Sequence, residues 1–237
     1  RGSAMRLPLR VLSDRRLRAL HAAAQASLTG FAQATTEHGS LIRSWIGTAL
    51  PVALEHYPSG GVVDRPRGAQ FFYHCHRTDA SEHGHVHVFW HATRGGRRRY
   101  LRGSAAWVRS APSPLLSIGM DASGLPVSLF TVNHWVAGGY WCDASTTLAQ
   151  VRRFAMHAVP GQAAACVWIT GFVRLYEPLI AHLLEARDRR LARMGPAAAA
   201  LDDRRVEVLS SVRLDWAADL SRLEAELSRR GLEPDDA

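Results

Sequence analysis

Within His74–His91 and just before it, two runs on either side of a polar connection alternate with period two, the pattern of strands whose successive residues face opposite sides of a sheet. In the first run Phe72, His74 and His76 share one face, and Phe71, Tyr73 and Cys75 the other. In the second, His85, His87, Phe89 and His91 stand against Val86, Val88 and Trp90. Arg77 to Gly84 is rich in turn formers, so the spacing predicts an antiparallel hairpin. Pairing His76 with His85 puts His74 opposite His87 and Phe72 opposite Phe89, with facing Cβ atoms about 5 Å apart. A slip of one residue would mix the two faces, so the pattern favours a register that gathers the histidines.

Helical spacing dominates both ends. Ser13 and Asp14 cap a helix with its stripe at Leu17, Leu20, Ala24, Leu28 and Phe31, ending between Thr36 and Gly39. A shorter one carries Leu41, Ile42, Trp45 and Ile46 and stops before Pro51. Glu55 to Gly61 reads as a loop and Val62 to Asp64 as a short strand. Leu115–Met120 and Pro126–Trp135 read as paired strands around an Asp121–Gly124 turn, while Tyr100 to Val108 fits either a strand or an irregular excursion. Thr146 or Thr147 caps a helix through Met156, and a long helix starts near Val167 with Pro178 as a kink. Arg204–Leu214 reads as a strand, and a closing helix carries Trp216, Leu220, Leu223 and Leu227 with Gly231 at its end.

The expected architecture is α+β: N-terminal helices, a central, mainly antiparallel sheet, open or curled toward a barrel, and C-terminal helices over one face. Arg1-Gly2-Ser3-Ala4, ahead of Met5, reads as an expression remnant. Residues 6–237 are expected to form a single domain, with a histidine-rich β core over about 56–143 and a helical part over about 146–237.

Composition narrows the class. The chain has 237 residues, 47% apolar, with seven Trp, which suits a globular core and not a disordered segment. Without an apolar run of membrane-spanning length or a signal-like start, it is expected to be cytoplasmic and free of membrane. Cys75, Cys142 and Cys166 are odd in number and lack CxxC spacing, which argues against a disulfide framework. The net charge of +8 comes from scattered arginines, the chain having no lysine. The densest run, Arg94–Arg99, reads as a solvated turn, and no zinc-finger, RNP or helix-turn-helix pattern accompanies it, so nucleic acid is not the favoured partner. There is no phosphate-binding or dinucleotide glycine motif.

Six of the twelve histidines fall within residues 74–91. His74, His76, His85 and His87 in one block suit a first-row transition metal, because neutral imidazoles are its commonest protein ligands. Glu82 and His83, at the connection, are the candidate proton-moving groups. The all-nitrogen set favours iron or copper and an oxidoreductase acting on a small molecule; zinc-dependent hydrolysis or lyase chemistry uses the same ligands. A non-catalytic metal- or haem-binding protein, a polar pocket without metal, and plain surface are the alternatives. His56, His91 and His134 are possible additions to the set, with a structural role the first reading of each. Nothing in the sequence marks an oligomeric state.

The runs His56-Tyr57-Pro58, Gln70–His76, Glu82–His87 and Leu129–Val136 together resemble a family of bacterial proteins classed as a domain of unknown function, DUF6969. The resemblance extends from the N-terminal helices through Arg204–Leu209, with Glu82-His83-Gly84-His85 its most specific motif. The chain departs from the family pattern at His134, where Arg is usual, and near Gly139, where Glu is usual. The resemblance implies one intact domain of bacterial, cytoplasmic origin and no particular reaction.

Overall fold

Ser13 starts the first helix by accepting a hydrogen bond from the Arg16 amide, and Gly39 ends it at φ 86°, a left-handed conformation that suits glycine. That helix, α1 (Asp14–His38), follows a single 3-10 turn and leads into α2 (Leu41–Ile46). The computed structural model describes residues 5–48, 50–53, 55–79, 82–94, 97–98 and 112–232. The strands are β1 (Tyr57–Asp64), β2 (Ala69–Asp79), β3 (Glu82–Trp90), β4 (Thr93–Arg94), β5 (Arg97–Arg98), β6 (Ser113–Met120), β7 (Pro126–Val132) and β8 (Val208–Arg213). The remaining helices are α3 (His134–Ala137), α4 (Ala144–Arg153), α5 (Ala163–Leu175), α6 (Glu177–Met194), α7 (Ala197–Leu201) and α8 (Trp216–Arg229).

Six strands form one open antiparallel sheet in the order β1-β2-β3-β6-β7-β8, so the α+β expectation holds and the barrel option does not. β4 and β5 make a separate two-stranded ladder, so the Arg-rich run folds back on itself. Tyr100–Val108 lies outside the described residues.

One face of the sheet builds the core. Phe71, Tyr73, Val86, Val88, Ile118 and Leu129 are wholly buried there. The Trp45 ring of α2 lies 5.7 Å from Phe71, 5.5 Å from Tyr73 and 5.9 Å from Trp168 of α5, joining sheet to helices. α5 in turn crosses α1 with backbone close to backbone. A Cβ on Gly171 would stand 2.6 Å from both Ala23 O and Ser27 N, and one on Gly30 would stand 2.6 Å from Ala164 O. The opposite face of the same strands carries His74, His85 and His87.

Several boundaries differ from the sequence expectation. Tyr57–Gly61 belongs to β1, not to a loop: between Tyr57, opposite Tyr73, and Val62, opposite Phe71, the register shifts and the strand bulges. An edge strand tolerates Pro58 and the glycines because one of its sides has no ladder to complete. β7 stops at Val132, because the buried Asn133 turns the chain there. Its Nδ2 donates to Ala200 O (2.9 Å) and Val206 O (3.2 Å), while its Oδ1 accepts from the His134 amide and starts α3. That use of Val206 also explains why β8 begins only at Val208. α4 is capped by Asp143, not by Thr146 or Thr147, and ends at Arg153, not at Met156. The expected kinked helix from Val167 is two helices, α5 and α6, bent by 68°. Pro178, without an amide hydrogen, fits the first turn of α6 and not the interior of a longer helix. Among the described residues no single helix is long and apolar enough to cross a membrane.

Candidate metal centre

The hairpin pairs two residues away from the expected register: His74 faces His85, Phe72 faces His87, and Gln70 faces Phe89. A shift of two leaves His74, His85 and His87 on their predicted face, so these three still gather, though in a different arrangement. His74 stands between the two β3 histidines. Its Nε2 lies 2.7 Å from His85 Nε2 and 3.1 Å from His87 Nε2, and the ligand atoms of all three residues fall within 4.8 Å of one another. The His76 side chain, the fourth expected ligand, lies outside the described residues.

The geometry is close to that of a ligand set. Around a tetrahedral ion with bonds of about 2.0–2.1 Å, neighbouring nitrogens stand roughly 3.3 Å apart, so the His74–His85 contact at 2.7 Å has to open by about 0.6 Å and the His74–His87 contact at 3.1 Å by about 0.2 Å. The outward nitrogens are also engaged. His85 Nδ1–H donates to Glu82 Oε1 (3.0 Å), which leaves the lone pair of neutral His85 on Nε2, facing the cluster. The Ser117 hydroxyl lies 2.8 Å from His87 Nδ1. Imidazoles held from behind by a carboxylate and a hydroxyl are the arrangement that fixes tautomer and ring orientation in metal sites. When His74 Nε2 carries its proton it donates to His85. When it does not, the lone pairs of His74 and His85 face one another at 2.7 Å, a situation a cation relieves.

Burial sharpens this. His74, His85 and His87 are 9%, 5% and 4% exposed, on a face whose other large residues are Phe72, Phe89 and Phe130. The His85 ring meets Phe130 edge-on at 5.1 Å, and Phe72 lies 5.3 Å from His87. Buried polar nitrogens need partners, and here they largely partner each other.

Glu82 reaches the cluster and His83 does not. Strict alternation back from His85 would put His83 with the histidines and Glu82 on the core face; the register shift between Cys75 and Asp79 reverses this. Glu82 lies over Gly119 and also accepts from the Ser128 hydroxyl (3.3 Å). His83 turns to the core face, its Nδ1 2.5 Å from the hydroxyl of Tyr73, whose pKa is raised by burial. Cys75 is buried on that face as well. His91 pairs with Gln70 Oε1 at 2.6 Å, and His134 pairs with the Gly139 carbonyl at 3.1 Å on α3; neither belongs to the cluster of three. Asp64 accepts from the amides of Arg67 and His157, tying a turn to the segment before α5. His56 is exposed, yet its ring stacks on Phe72 at 3.8 Å and lies 6.0 Å from His74; partial desolvation lowers its pKa.

Residues 21–214 match the model of the domain of unknown function DUF6969. The chain belongs to this family. The matched span contains every residue of the cluster and its supports, from His56 through Phe130, together with the whole sheet. No curated protein and no solved structure matches the chain.

Sequence reasoning missed Ser117, Gly119 and Ser128. Gly119 pairs with His85 across β3 and β6, and a Cβ there would stand 2.9 Å from the Glu82 carboxyl carbon. The missing side chain is what admits the carboxylate. Gly119→Ala is therefore expected to push Glu82 off His85 and weaken metal binding by roughly 10–100-fold, the usual effect of losing such a support. A competition titration against a chromogenic chelator reads this directly; unchanged affinity would mean Glu82 does not orient His85.

Proposed function

We propose that this chain is a metal-dependent enzyme that holds one first-row transition ion on His74, His85 and His87, with an iron- or copper-dependent oxidoreductase the leading form. The observation that supports it is the convergence of three buried Nε2 atoms, two of them backed by Glu82 and Ser117. The three described ligands leave a coordination position for a substrate, which is the mark of a catalytic centre and not of a closed structural one. Neutral nitrogen donors without thiolates suit iron and copper, and a bound ion of either kind supplies redox chemistry at that position. The chain's own residues do the rest. Phe72, Phe89 and Phe130 keep bulk water from the histidine face and favour a small, partly apolar substrate. Glu82 orients His85 and is the nearest described carboxylate able to take a proton. A zinc-dependent hydrolase is the second reading, favoured by the carboxylate–imidazole pair, since three histidines with an orienting carboxylate also suit a zinc-bound water. The proposed partner is a small molecule and not a nucleic acid, because the three histidines are buried.

Elemental analysis of the protein purified without a polyhistidine tag, before and after chelation, tests the reading. One equivalent of iron or copper is the expected result and directs the search to oxidised products under air. One equivalent of zinc moves it to hydrolysis. No metal after reconstitution overturns the enzyme assignment.

A further inference from the structure

Among the described residues the cluster supplies three nitrogens from two strands, and a further imidazole stands beside it. His56 lies in the segment entering β1, exposed, while the other three are buried. Its ring is not hidden behind Phe72. The His56 and Phe72 rings form a stacked pair with centroids 3.8 Å apart, and both lie 6.0 Å from the His74 ring. The three clustered rings are separated by 4.4–4.8 Å. For bonds of about 2.0–2.1 Å, imidazole rings around a tetrahedral ion have centroids roughly 5 Å apart. Measured from the His74 ring, His56 is thus about 1 Å outside the spacing of a ligand, while the other three must open slightly to reach it.

We propose that His56 is a labile fourth ligand: it closes the coordination sphere of the ion held by His74, His85 and His87, and gives up its position when substrate binds. This rests on the metal-centre reading above. The ring is held to Phe72 by one stacking contact, weak beside a metal–nitrogen bond, so a side-chain rotation suffices to exchange one for the other. Being exposed, the ring can leave the ion without opening the core. The protein would then alternate between a closed four-nitrogen resting centre and an open three-nitrogen centre, which limits adventitious chemistry when no substrate is bound.

Cobalt(II) is the probe, because its visible d–d bands are intense in four-coordinate sites and weak when water raises the coordination number. The metal-free full chain is titrated with cobalt(II), alongside His56→Ala and His56→Phe; the second keeps an aromatic ring on Phe72 but cannot ligate. Wild type is expected to show intense four-coordinate bands. Both variants should bind one equivalent with weaker bands and an affinity lower by on the order of 10–100-fold. Added imidazole should restore the bands in His56→Ala and not in His56→Phe, whose ring blocks the space. Spectra and affinities identical to wild type in both variants overturn the role of His56 and leave the three-histidine centre standing. Loss of the bands in His56→Ala alone, with His56→Phe normal, would assign His56 a packing role and also overturn it. Absence of cobalt binding in wild type overturns this proposal together with the metal centre.

Discussion

Alanine in place of His74, His85 or His87 is expected to abolish tight metal binding while leaving the fold in place. Each removes one of three converging nitrogens, and His74 is the most sensitive position because both other imidazoles contact it. The loss should exceed the roughly 10–100-fold expected from removing a supporting group, so Glu82→Gln and Ser117→Ala serve as milder comparisons. The fold should survive because the core lies on the opposite face of these strands, where Tyr73, Val86 and Val88 remain packed. Chelator competition gives the affinities and circular dichroism monitors folding. One equivalent of tightly bound metal in folded His74→Ala/His87→Ala would place the site elsewhere in the molecule.

The second large effect concerns the helix crossing that backs the sheet. Judged by helix propensity alone, Gly→Ala within α1 or α5 should stabilise by about 1 kcal/mol. The packing predicts the opposite sign. At Gly171 the added methyl would meet the backbone of Ala23 and Ser27, and at Gly30 the backbone of Ala164 and Trp168, none of which can rotate away. Overpacking of this kind costs about 1–3 kcal/mol, and more where the obstacle is backbone. We expect Gly30→Ala and Gly171→Ala each to be destabilising by about 2 kcal/mol net, lowering Tm by roughly 4–8 °C in a chain of this length. The double variant should lose less than the sum, since helices already forced apart by the first methyl have room for the second. A rise in Tm for either single variant would show that propensity wins and that the helices separate easily.

Much of this molecule follows from local pattern. Ser13 and Gly39 mark the ends of α1 because capping is a property of a few adjacent residues. The face of each residue in the hairpin was readable over most of its length because a strand's side chains alternate whatever it pairs with. Family membership, too, lies in the sequence itself. What alternation leaves open is the register. A shift of two residues preserves both faces, so the same pattern fits His74 opposite His87 and the observed His74 opposite His85. Only the neighbouring strands and the bulge before Asp79 choose between them, and they also decide that Glu82, not His83, turns to the histidines. Tyr57–Gly61 looked like a loop because the cost of proline and glycine in a strand depends on whether that strand is an edge. Asn133 ended β7 through carbonyls 67 and 73 residues further along the chain, which no local window contains. Ser117 and Gly119 carry no chemical signature of their own. They matter because β6 lies beside β3, which puts a hydroxyl behind His87 and an open space beneath Glu82. The sequence by itself determined that His74, His85 and His87 share a face; the tertiary structure decided which of their nitrogens meet, because that depends on distances between strands and not on order along one.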